Sequence, residues 1–257
     1  MSWIITGTQK NNWTPAEITT ALWLDAADAS TITESGGAVS QWNDKSGNTR
    51  NASQSVLASR PVYSSTAFNG KPTLIFDGVN DFLQVSSFAT GSDCTIVAVV
   101  TLLAAKNYPM IYSCNSAGGS FDFRGVDTSG KPSIVNVGNN SGAGVQSAPA
   151  TAVSTTDSML NTTNILIGKI VGNSSTLRQN GSLRDTRALI FTGVTNDRQI
   201  GARGGVFPWD GRISEIIELG NISVFDEERI EGYLAHKWGL TANLPSDHPY
   251  KTAVPVP

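Results

Sequence analysis

Short apolar or alternating segments, each about the length of one β-strand, recur along the chain between turn-forming residues. Alternation of apolar and polar positions is typical of a strand with one buried face. The dipeptide Asn180-Gly181 stands between Leu177 and Leu183 and predicts a two-residue hairpin turn. The segment Asp77-Gly78-Val79-Asn80-Asp81 also predicts a hairpin turn. The predicted strands are residues 21–24, 39–42, 61–63, 73–76, 82–85, 95–102, 110–113, 120–123, 133–137, 164–171, 175–179, 199–202 and 212–219.

About a dozen strands at this spacing predict an all-β fold, a two-sheet antiparallel sandwich. The composition agrees, because only 15% of the residues are charged while Gly contributes 25 residues and Pro 11. Such a chain is poor in the charged helix formers that a helical bundle needs. Residues 138–157, rich in Gly, Ser, Ala and Thr, predict a long surface loop or an irregular edge.

One helix is predicted at residues 227–238, close to the C-terminal end of the chain. Asp226 is the expected N-cap, and Gly239 is the expected stop. The apolar residues at helical spacing, which should face the β domain, are Ile230, Tyr233, Leu234 and Trp238. The acidic residues expected on the solvated face are Glu227, Glu228 and Glu231.

The first 20 residues are polar and carry two large aromatic side chains, Trp3 and Trp13. We expect residues 1–20 to form an N-terminal docking arm and residues 21–257 to form the β domain. The sequence Thr14-Pro15-Ala16-Glu17 predicts a short helical turn, because proline suits the first helical position and Glu17 can reach back to the cap. The two tryptophans are the expected contacts of the arm with a partner.

Charge and hydropathy exclude several classes of function. The formal net charge is −3 and lysine and arginine do not cluster, so the chain lacks the basic footprint of a nucleic-acid-binding protein. The longest apolar run, residues 96–103, is far too short to span a membrane. The apolar run at the N-terminus is too short for a secretory signal, and Lys10 follows it rather than preceding it. We therefore expect synthesis in a cytoplasm.

The two cysteines, Cys94 and Cys114, allow two interpretations. If residues 95–102 and 110–113 paired as a hairpin, the two sulfur atoms would lie opposite each other and could form a disulfide. Cytosolic synthesis favours the alternative, two buried reduced thiols.

Several segments together resemble one family of domains. Their order and spacing are similar to those of laminin-G-like, concanavalin-A-like jelly-roll domains from bacterial surface proteins and bacteriophage structural proteins. The resemblance covers residues 21–252 and implies a two-sheet jelly roll, but it implies no particular ligand. The segments that carry it are Leu22–Asp28, Trp42–Asn48, Leu74–Leu83, Trp209–Ile217, Glu231–Leu240, Leu244-Pro245 and His248-Pro249-Tyr250.

The resemblance also suggests a structural calcium site. Asp44 and Asn48 lie in a tight glycine-containing loop and offer the hard oxygen ligands that calcium prefers. Related domains commonly complete such a site with Ile-Asp-Glu on a late strand, whereas this chain has Ile213-Ser214-Glu215 and so lacks one carboxylate. The alternative is that Asp44 makes an Asx turn.

The pattern of carboxylates predicts that the protein is not an enzyme. Glycoside hydrolysis needs two carboxyl groups on opposite sides of the bond that breaks. Glu215 and Glu218 are three residues apart on one strand, so they should point to opposite faces. A pair from separate segments remains open, for example Asp122 with Asp127 or with Asp210.

Three functions follow from the resemblance and the low-charge surface. The first is a bacteriophage virion-surface protein, with a lectin-like domain that adheres to host or environmental polysaccharide and with Trp3 and Trp13 contacting other virion proteins. The second is a structural capsid decoration, cement or tail protein that has no glycan site. The third is a carbohydrate-active hydrolase. None of the three involves nucleic acid or a membrane.

Overall fold

The computed structural model describes residues 12–106, 108–114, 119–125, 131–138, 158–172, 174–188 and 193–257. Within these ranges the chain forms sixteen strands: β1 Thr20–Asp25, β2 Ile32–Ser35, β3 Ala38–Trp42, β4 Ala52–Ser53, β5 Val62–Phe68, β6 Lys71–Asp77, β7 Leu83–Thr90, β8 Cys94–Leu102, β9 Met110–Cys114, β10 Gly119–Gly125, β11 Pro132–Gly138, β12 Thr163–Val171, β13 Ser174–Gln179, β14 Ser182–Ala188, β15 Val194–Ile200 and β16 Asp210–Leu219. The α-helix α1 spans Val224–Trp238, and short 3-10 turns span Pro15–Glu17, Ala29–Thr31, Leu57–Ser59 and Thr241–Asn243.

The strands form one large antiparallel sheet that curls back on itself. Its order is β11-β10-β9-β15-β7-β4-β3-β5-β6-β16-β8-β12-β13-β14, with β1 added beside β16 and β2 beside β3. We call the part from β11 to β3, with β2, the open half. We call the part from β6 to β14, with β1, the helix-covered half. The predicted all-β architecture with one C-terminal helix is confirmed at this level, whereas the two-sheet jelly-roll arrangement stays a prediction.

The inner faces of the two halves pack against each other and form the main hydrophobic core. Alternate residues of strands from both halves contribute apolar side chains that are removed from water, which is the main driving force for folding. Core residues of the open half include Val85, Tyr112, Phe123 and Ile200, and those of the helix-covered half include Ile96, Ala98, Val100 and Ile216.

Helix α1 covers the outer face of the helix-covered half and forms a second core there. Its residues Ile230, Leu234 and Trp238 pack in one cluster with Val99 and Ile217 of the sheet, and Tyr233 packs at the margin, as the helical spacing predicted. The helix begins at Val224, and its N-cap is Ser223 rather than the expected Asp226. The Ser223 hydroxyl accepts the backbone N–H of Asp226 at 3.1 Å.

Gly239 ends the helix in the left-handed conformation, with φ of 73°, as expected. No helix in the described part of the chain is long and apolar enough to cross a membrane.

The prediction of a solvated acidic face on the helix is wrong for two of its three glutamates. Glu227 and Glu231 are 3% and 0% exposed. Lys169 of β12 lies 2.7 Å from the Glu227 carboxylate, and Arg178 of β13 lies 2.8 Å from that of Glu231. The helix lies across these two strands, so its acidic side meets cations from the sheet instead of water.

Of the two predicted hairpin turns, one is confirmed and the other is wrong. Asn180 and Gly181 connect β13 and β14 with φ angles of 52° and 81°, which confirms the predicted hairpin. The segment Asp77-Gly78-Val79-Asn80-Asp81, read as a hairpin turn, instead connects β6 of the helix-covered half to β7 of the open half. The hairpin prediction is wrong because the chain crosses between the halves at this point.

The hairpin that would have placed the cysteines opposite each other is absent. Strand β8 pairs with β12 and β16, whereas β9 pairs with β10 and β15. Cys94 and Cys114 are both free thiols and both buried. Burial in the apolar core raises the pKa of the Cys94 thiol well above its ordinary value, so the thiol stays protonated and unreactive.

The tryptophan of the N-terminal segment is part of the second core. Trp13 is 1% exposed, and its ring meets that of Tyr233 edge-on at 6.2 Å. Its backbone N–H donates to the carbonyl of Pro255 at 3.0 Å. The Trp13 side chain therefore packs within this chain, and contact of the N-terminal segment with a partner stays a prediction. Trp3, the other expected anchor, lies outside the described residues, as do residues 139–157 of the predicted loop.

The predicted turn after Trp13 is present, since Glu17 accepts the backbone N–H of Thr14 at 3.0 Å. The division between residues 20 and 21 remains a prediction.

Candidate functional site

A continuous row of polar side chains crosses the outer face of the open half. Its members are direct partners in the strand register, from β10 through β9, β15, β7, β4 and β3 to β2. Neighbouring strands lie about 4.8 Å apart, so the six steps of the row span about 29 Å. We call these residues the polar row: Asp122, Ser113, Gln199, Gln84, Ser53, Gln41 and Thr33.

The alternation of each strand explains why the row faces outward. Side chains of successive residues in a strand point to opposite faces of the sheet. Leu83 and Val85, on either side of Gln84, are both buried in the main core, and so is Ile200 beside Gln199. Helix α1 packs on the other half. The row members from β15 to β2 are exposed or half-buried, whereas Ser113 and Asp122 at the other end are 0% exposed.

Hydrogen bonds hold several members of the row in fixed orientations. The Gln84 amide donates to the Asp197 carboxylate at 2.6 Å, which places a second acidic group on the same face. The Ser113 hydroxyl donates to Asp122 at 2.8 Å. The face is therefore an ordered set of donors and acceptors rather than a set of freely rotating side chains.

The Asp122 end of the row meets two arginines and two aromatic rings. Asp122 is buried, and the Arg203 guanidinium binds it through Nη1 at 2.6 Å. The same guanidinium lies 5.1 Å from the ring centre of Phe207, and that of Arg124 lies 4.4 Å from the ring centre of Tyr108. We call Tyr108, Arg124, Arg203 and Phe207 the aromatic corner.

The two rings of the aromatic corner contact each other and come from distant parts of the sequence. Their centres are 6.2 Å apart in an edge-to-face arrangement, and Tyr108 is 41% exposed. Tyr108 and Phe207 have φ angles of 55° and 57°, which are uncommon for aromatic residues. Such backbone conformations persist only where the surrounding structure enforces them, and they are concentrated at functional sites.

The loop that carries Arg203 is a tight hairpin. Arg203 and Val206 exchange two backbone hydrogen bonds, at 2.9 and 3.0 Å, around Gly204 and Gly205. Both glycines have positive φ angles, which this two-residue turn requires. The turn directs Arg203 back toward Asp122 and places Phe207 beside Tyr108.

The residues predicted to bind calcium, Asp44 and Asn48, lie together in one loop but serve other contacts. The Asp44 carboxylate accepts the backbone N–H groups of Trp23, Ser46 and Arg50 at 2.8 to 3.0 Å, as well as the Ser46 hydroxyl. The Asn48 amide nitrogen donates to the carbonyl of Ala21 at 3.1 Å.

Hydrogen-bond donors point at both carboxylate oxygens of Asp44, which fits the alternative of an Asx turn. In the described residues no cluster of three or more His, Cys, Asp or Glu side chains could hold a metal. Calcium binding stays a prediction.

Glu215 and Glu218 lie on opposite faces of β16, as their spacing predicted. Glu215 faces the helix and binds Lys237 at 2.7 Å. Glu218 faces the main core, where Arg198 lies 3.3 Å away and the Tyr112 hydroxyl donates to it. Each of these carboxylates is fully buried and paired, so they support the fold and form no catalytic pair with each other.

The alternative carboxylate pairs have different positions. Asp122 is the first member of the polar row, whereas Asp210, at the start of β16, binds Lys106 at 3.2 Å. Asp127 lies outside the described residues. Sequence reasoning therefore named one residue of the candidate site, Asp122, and missed the row itself.

Comparisons with known proteins identify similar folds. No protein-family model and no curated protein matches this sequence, so the laminin-G-like resemblance stays a prediction. Domain 4 of an extracellular GH43 arabinanase from Geobacillus stearothermophilus, solved with arabinotriose, is similar with a TM-score of 0.59 at 9% identity, over 79% of this chain and 93% of that domain.

Trypanosoma rangeli sialidase is similar with a TM-score of 0.55 at 11% identity, over 85% of this chain and 33% of the sialidase. The binding domain of botulinum neurotoxin serotype G gives 0.53 at 11% identity, over 87% of this chain and 51% of that domain. The chain thus spans about a third of the sialidase and about half of the toxin domain. At these identities the likeness shows the fold alone. The chain therefore shares a β-domain fold with part of an arabinanase, part of a sialidase and part of a neurotoxin binding domain.

Proposed function

We propose that this chain is a carbohydrate-binding β domain that holds a glycan along the polar row, with one sugar ring against the aromatic corner. The observation that carries the proposal is the register of polar side chains across seven strands, of which the five from β15 to β2 are exposed or half-buried on the outer face. A row of this length suits an extended chain of sugars better than a single small molecule.

The chemistry of the row matches sugar hydroxyl groups. Glutamine amides offer both donors and acceptors, and serine and threonine hydroxyls can play either role. Tyr108 adds a partly exposed ring whose apolar face can pack on the C–H face of a pyranose. Binding sites of this kind combine an apolar surface with a few oriented polar groups.

The structural neighbours support the same class of ligand. The arabinanase domain was solved with arabinotriose, and the sialidase with sialic acid. Those ligands were bound by those proteins. For this chain they support the proposal that the domain binds carbohydrate.

We further propose that the domain binds glycan without hydrolysing it. The Asp122 carboxylate is fully buried and is held by Arg203 and by the Ser113 hydroxyl. Asp197 accepts a hydrogen bond from Gln84. Both carboxylates are occupied by partners within the chain, which supports recognition more than hydrolysis by two carboxyl groups on opposite sides of a glycosidic bond. Display of the domain on a virion surface is part of the proposal and rests on the sequence resemblance.

A glycan array followed by calorimetry on the full chain tests this function. We expect binding to at least one polysaccharide class and about tenfold weaker binding by a Gln84→Ala, Gln199→Ala double variant, a loss of about 1.4 kcal/mol. Thr66→Ala, an exposed change on β5, is the matched control and should bind normally. Incubation with the bound polysaccharide should release no reducing ends. Binding that the double variant leaves unchanged would contradict the site, and release of reducing ends would contradict the non-enzymatic role.

A further inference from the structure

We propose that the aromatic corner recognises the carboxylate of an acidic sugar, such as a uronic acid, at one end of the glycan that the polar row holds. This inference rests on the proposed function and adds to it that the sugar at one end of the glycan carries a negative charge. Its basis is a pair of arginines fixed by stacking and by a buried acid.

Arg203 is held from two sides before any ligand arrives. Asp122 binds its Nη1 from below, and the ring of Phe207 lies against its guanidinium. Its side chain nevertheless remains 24% exposed, whereas that of Asp122 is 0% exposed. The acid thus positions the arginine and does not itself reach a ligand, so the exposed part of the pair is the cation.

A guanidinium fixed in this way suits a carboxylate in particular. Its planar array of N–H groups can donate two parallel hydrogen bonds to the two oxygens of one carboxylate. Because stacking and the Asp122 bond have already restricted the side chain, little rotational freedom is lost when a ligand binds. A lysine would offer a similar charge but no such planar pair of donors.

Arg124 places a second positive charge beside the first. Burial, together with the nearby Arg203 cation, lowers the pKa of Arg124, while Asp122 acts in the opposite direction. Two guanidiniums are thus held near one carboxylate, each against its own ring, and both would attract an arriving anion.

The tyrosine supplies the apolar part of the same subsite. Tyr108 is exposed enough to contact a ring, and the edge of Phe207 supports it from the side. A pyranose that packs on Tyr108 would direct a ring substituent toward the neighbouring guanidiniums. A sugar with a carboxylate in place of a hydroxymethyl group would then use both features.

Calorimetry with trigalacturonic acid tests the proposal on the full chain. Its methyl ester and galactotriose serve as uncharged counterparts, and dextran sulfate serves as a polyanion without carboxylates. We expect the acid to bind about tenfold more tightly than the ester, and Arg203→Lys to remove that preference. Arg229→Lys is the matched control, because Arg229 also stacks on aromatic rings but lies on the helix-covered side.

Tyr108→Asn provides a second test if Arg203→Lys fails to fold, because asparagine tolerates a positive φ angle. It should weaken binding of the acid, with an unchanged melting temperature. Equal affinity for acid and ester would overturn the inference. Equal affinity for dextran sulfate, insensitive to Arg203→Lys, would also overturn it and would indicate general attraction of polyanions.

The failure of this inference and that of the proposed function are distinguishable. If neutral glycans bind and the Gln84→Ala, Gln199→Ala variant loses them while acidic sugars gain nothing, the proposed function stands and the inference falls. If no glycan binds at all, both fall.

Discussion

The Glu215 carboxylate accepts the indole N–H of Trp238 at 2.7 Å, which ties the last turn of helix α1 to a central strand of the helix-covered half. The other oxygen of the same carboxylate accepts the indole N–H of Trp23 at 2.8 Å. Lys237 bridges Glu215 to Asp25, at 2.7 and 2.6 Å. One buried acid therefore connects the helix, β1 and β16.

This relationship predicts that the indole nitrogen of Trp238 stabilises the protein separately from its ring. Trp238→Phe keeps most of the buried apolar volume but leaves Glu215 with one donor fewer, which should cost about 1–3 kcal/mol of unfolding free energy. Trp238→Ala should cost about 3–5 kcal/mol, because it also creates a cavity. Urea denaturation measures both, with the exposed Phe225→Leu as control. Equal stabilities of the wild type and Trp238→Phe would contradict the role of the hydrogen bond.

A second buried ion pair lies in the main core, where Arg198 and Glu218 are 0% and 1% exposed. Arg198→Met alone leaves the Glu218 charge buried without its cation and should cost about 3–5 kcal/mol. The double change Arg198→Met, Glu218→Leu removes both charges and should cost less than the sum of the single changes. Denaturation of Arg198→Met, Glu218→Leu and the double variant gives the coupling free energy between the two residues. Strictly additive losses would show that the two residues act independently.

Asp81 should make stability depend on pH in a defined direction. Burial raises its pKa from 3.8 to about 6, so the folded state binds the proton more tightly than the unfolded state does. The resulting stabilisation is fully present below about pH 4 and is lost as pH rises through 6. Asp81→Asn keeps an acceptor for the backbone N–H of Asp77 and should be the more stable protein at pH 7, by on the order of 1–3 kcal/mol.

Urea denaturation of wild type and Asp81→Asn at pH 4, 5, 6 and 7 measures this effect. The difference between the two proteins should grow toward pH 7. The exposed Asp247→Asn serves as control and should follow the wild type. A pH-independent difference between the Asp81 variant and the wild type would show that Asp81 does not bind the proton preferentially in the folded state.

Trp13 should contribute to stability although it lies within the segment expected to form an arm. Trp13→Ala removes a side chain that is 1% exposed and packs on Tyr233, which should cost about 3–5 kcal/mol. Thr19→Ala, in the same segment, is a conservative comparison and should change stability little. Thermal or urea unfolding checks this. A Trp13→Ala protein as stable as the wild type would contradict the role of Trp13 in the core and would favour the interpretation of residues 1–20 as a separate arm.

The sequence predicted those strands and turns that depend only on residues close together in the chain. The apolar run at 95–102 gave β8, and Asn180-Gly181 gave its hairpin, because both signals lie within a few neighbouring residues. The short strands β2 and β4 were missed. Ile32–Ser35 is mostly exposed and Ala52–Ser53 has two residues, so pairing with neighbours defines them more than hydrophobic pattern does.

The candidate site was largely hidden from sequence reasoning because it depends on register. Leu83-Gln84-Val85 and Arg198-Gln199-Ile200 each show an outward polar position, but nothing local shows that Gln84 and Gln199 are partners. The same limit applies to Glu231, whose partner Arg178 is 53 positions away in sequence. Long-range pairing decided which polar residues are solvated, which are buried, and which form one surface.

The contact between Trp13 and Pro255 fixes how the domain would be oriented when attached through its ends. Their backbone hydrogen bond of 3.0 Å places the two ends of the described chain side by side. Trp13 belongs to the cluster beneath helix α1, whereas the polar row lies on the outer face of the opposite half. A tether at either end would therefore hold the domain from behind, so that many copies on one scaffold would all direct their polar rows away from it.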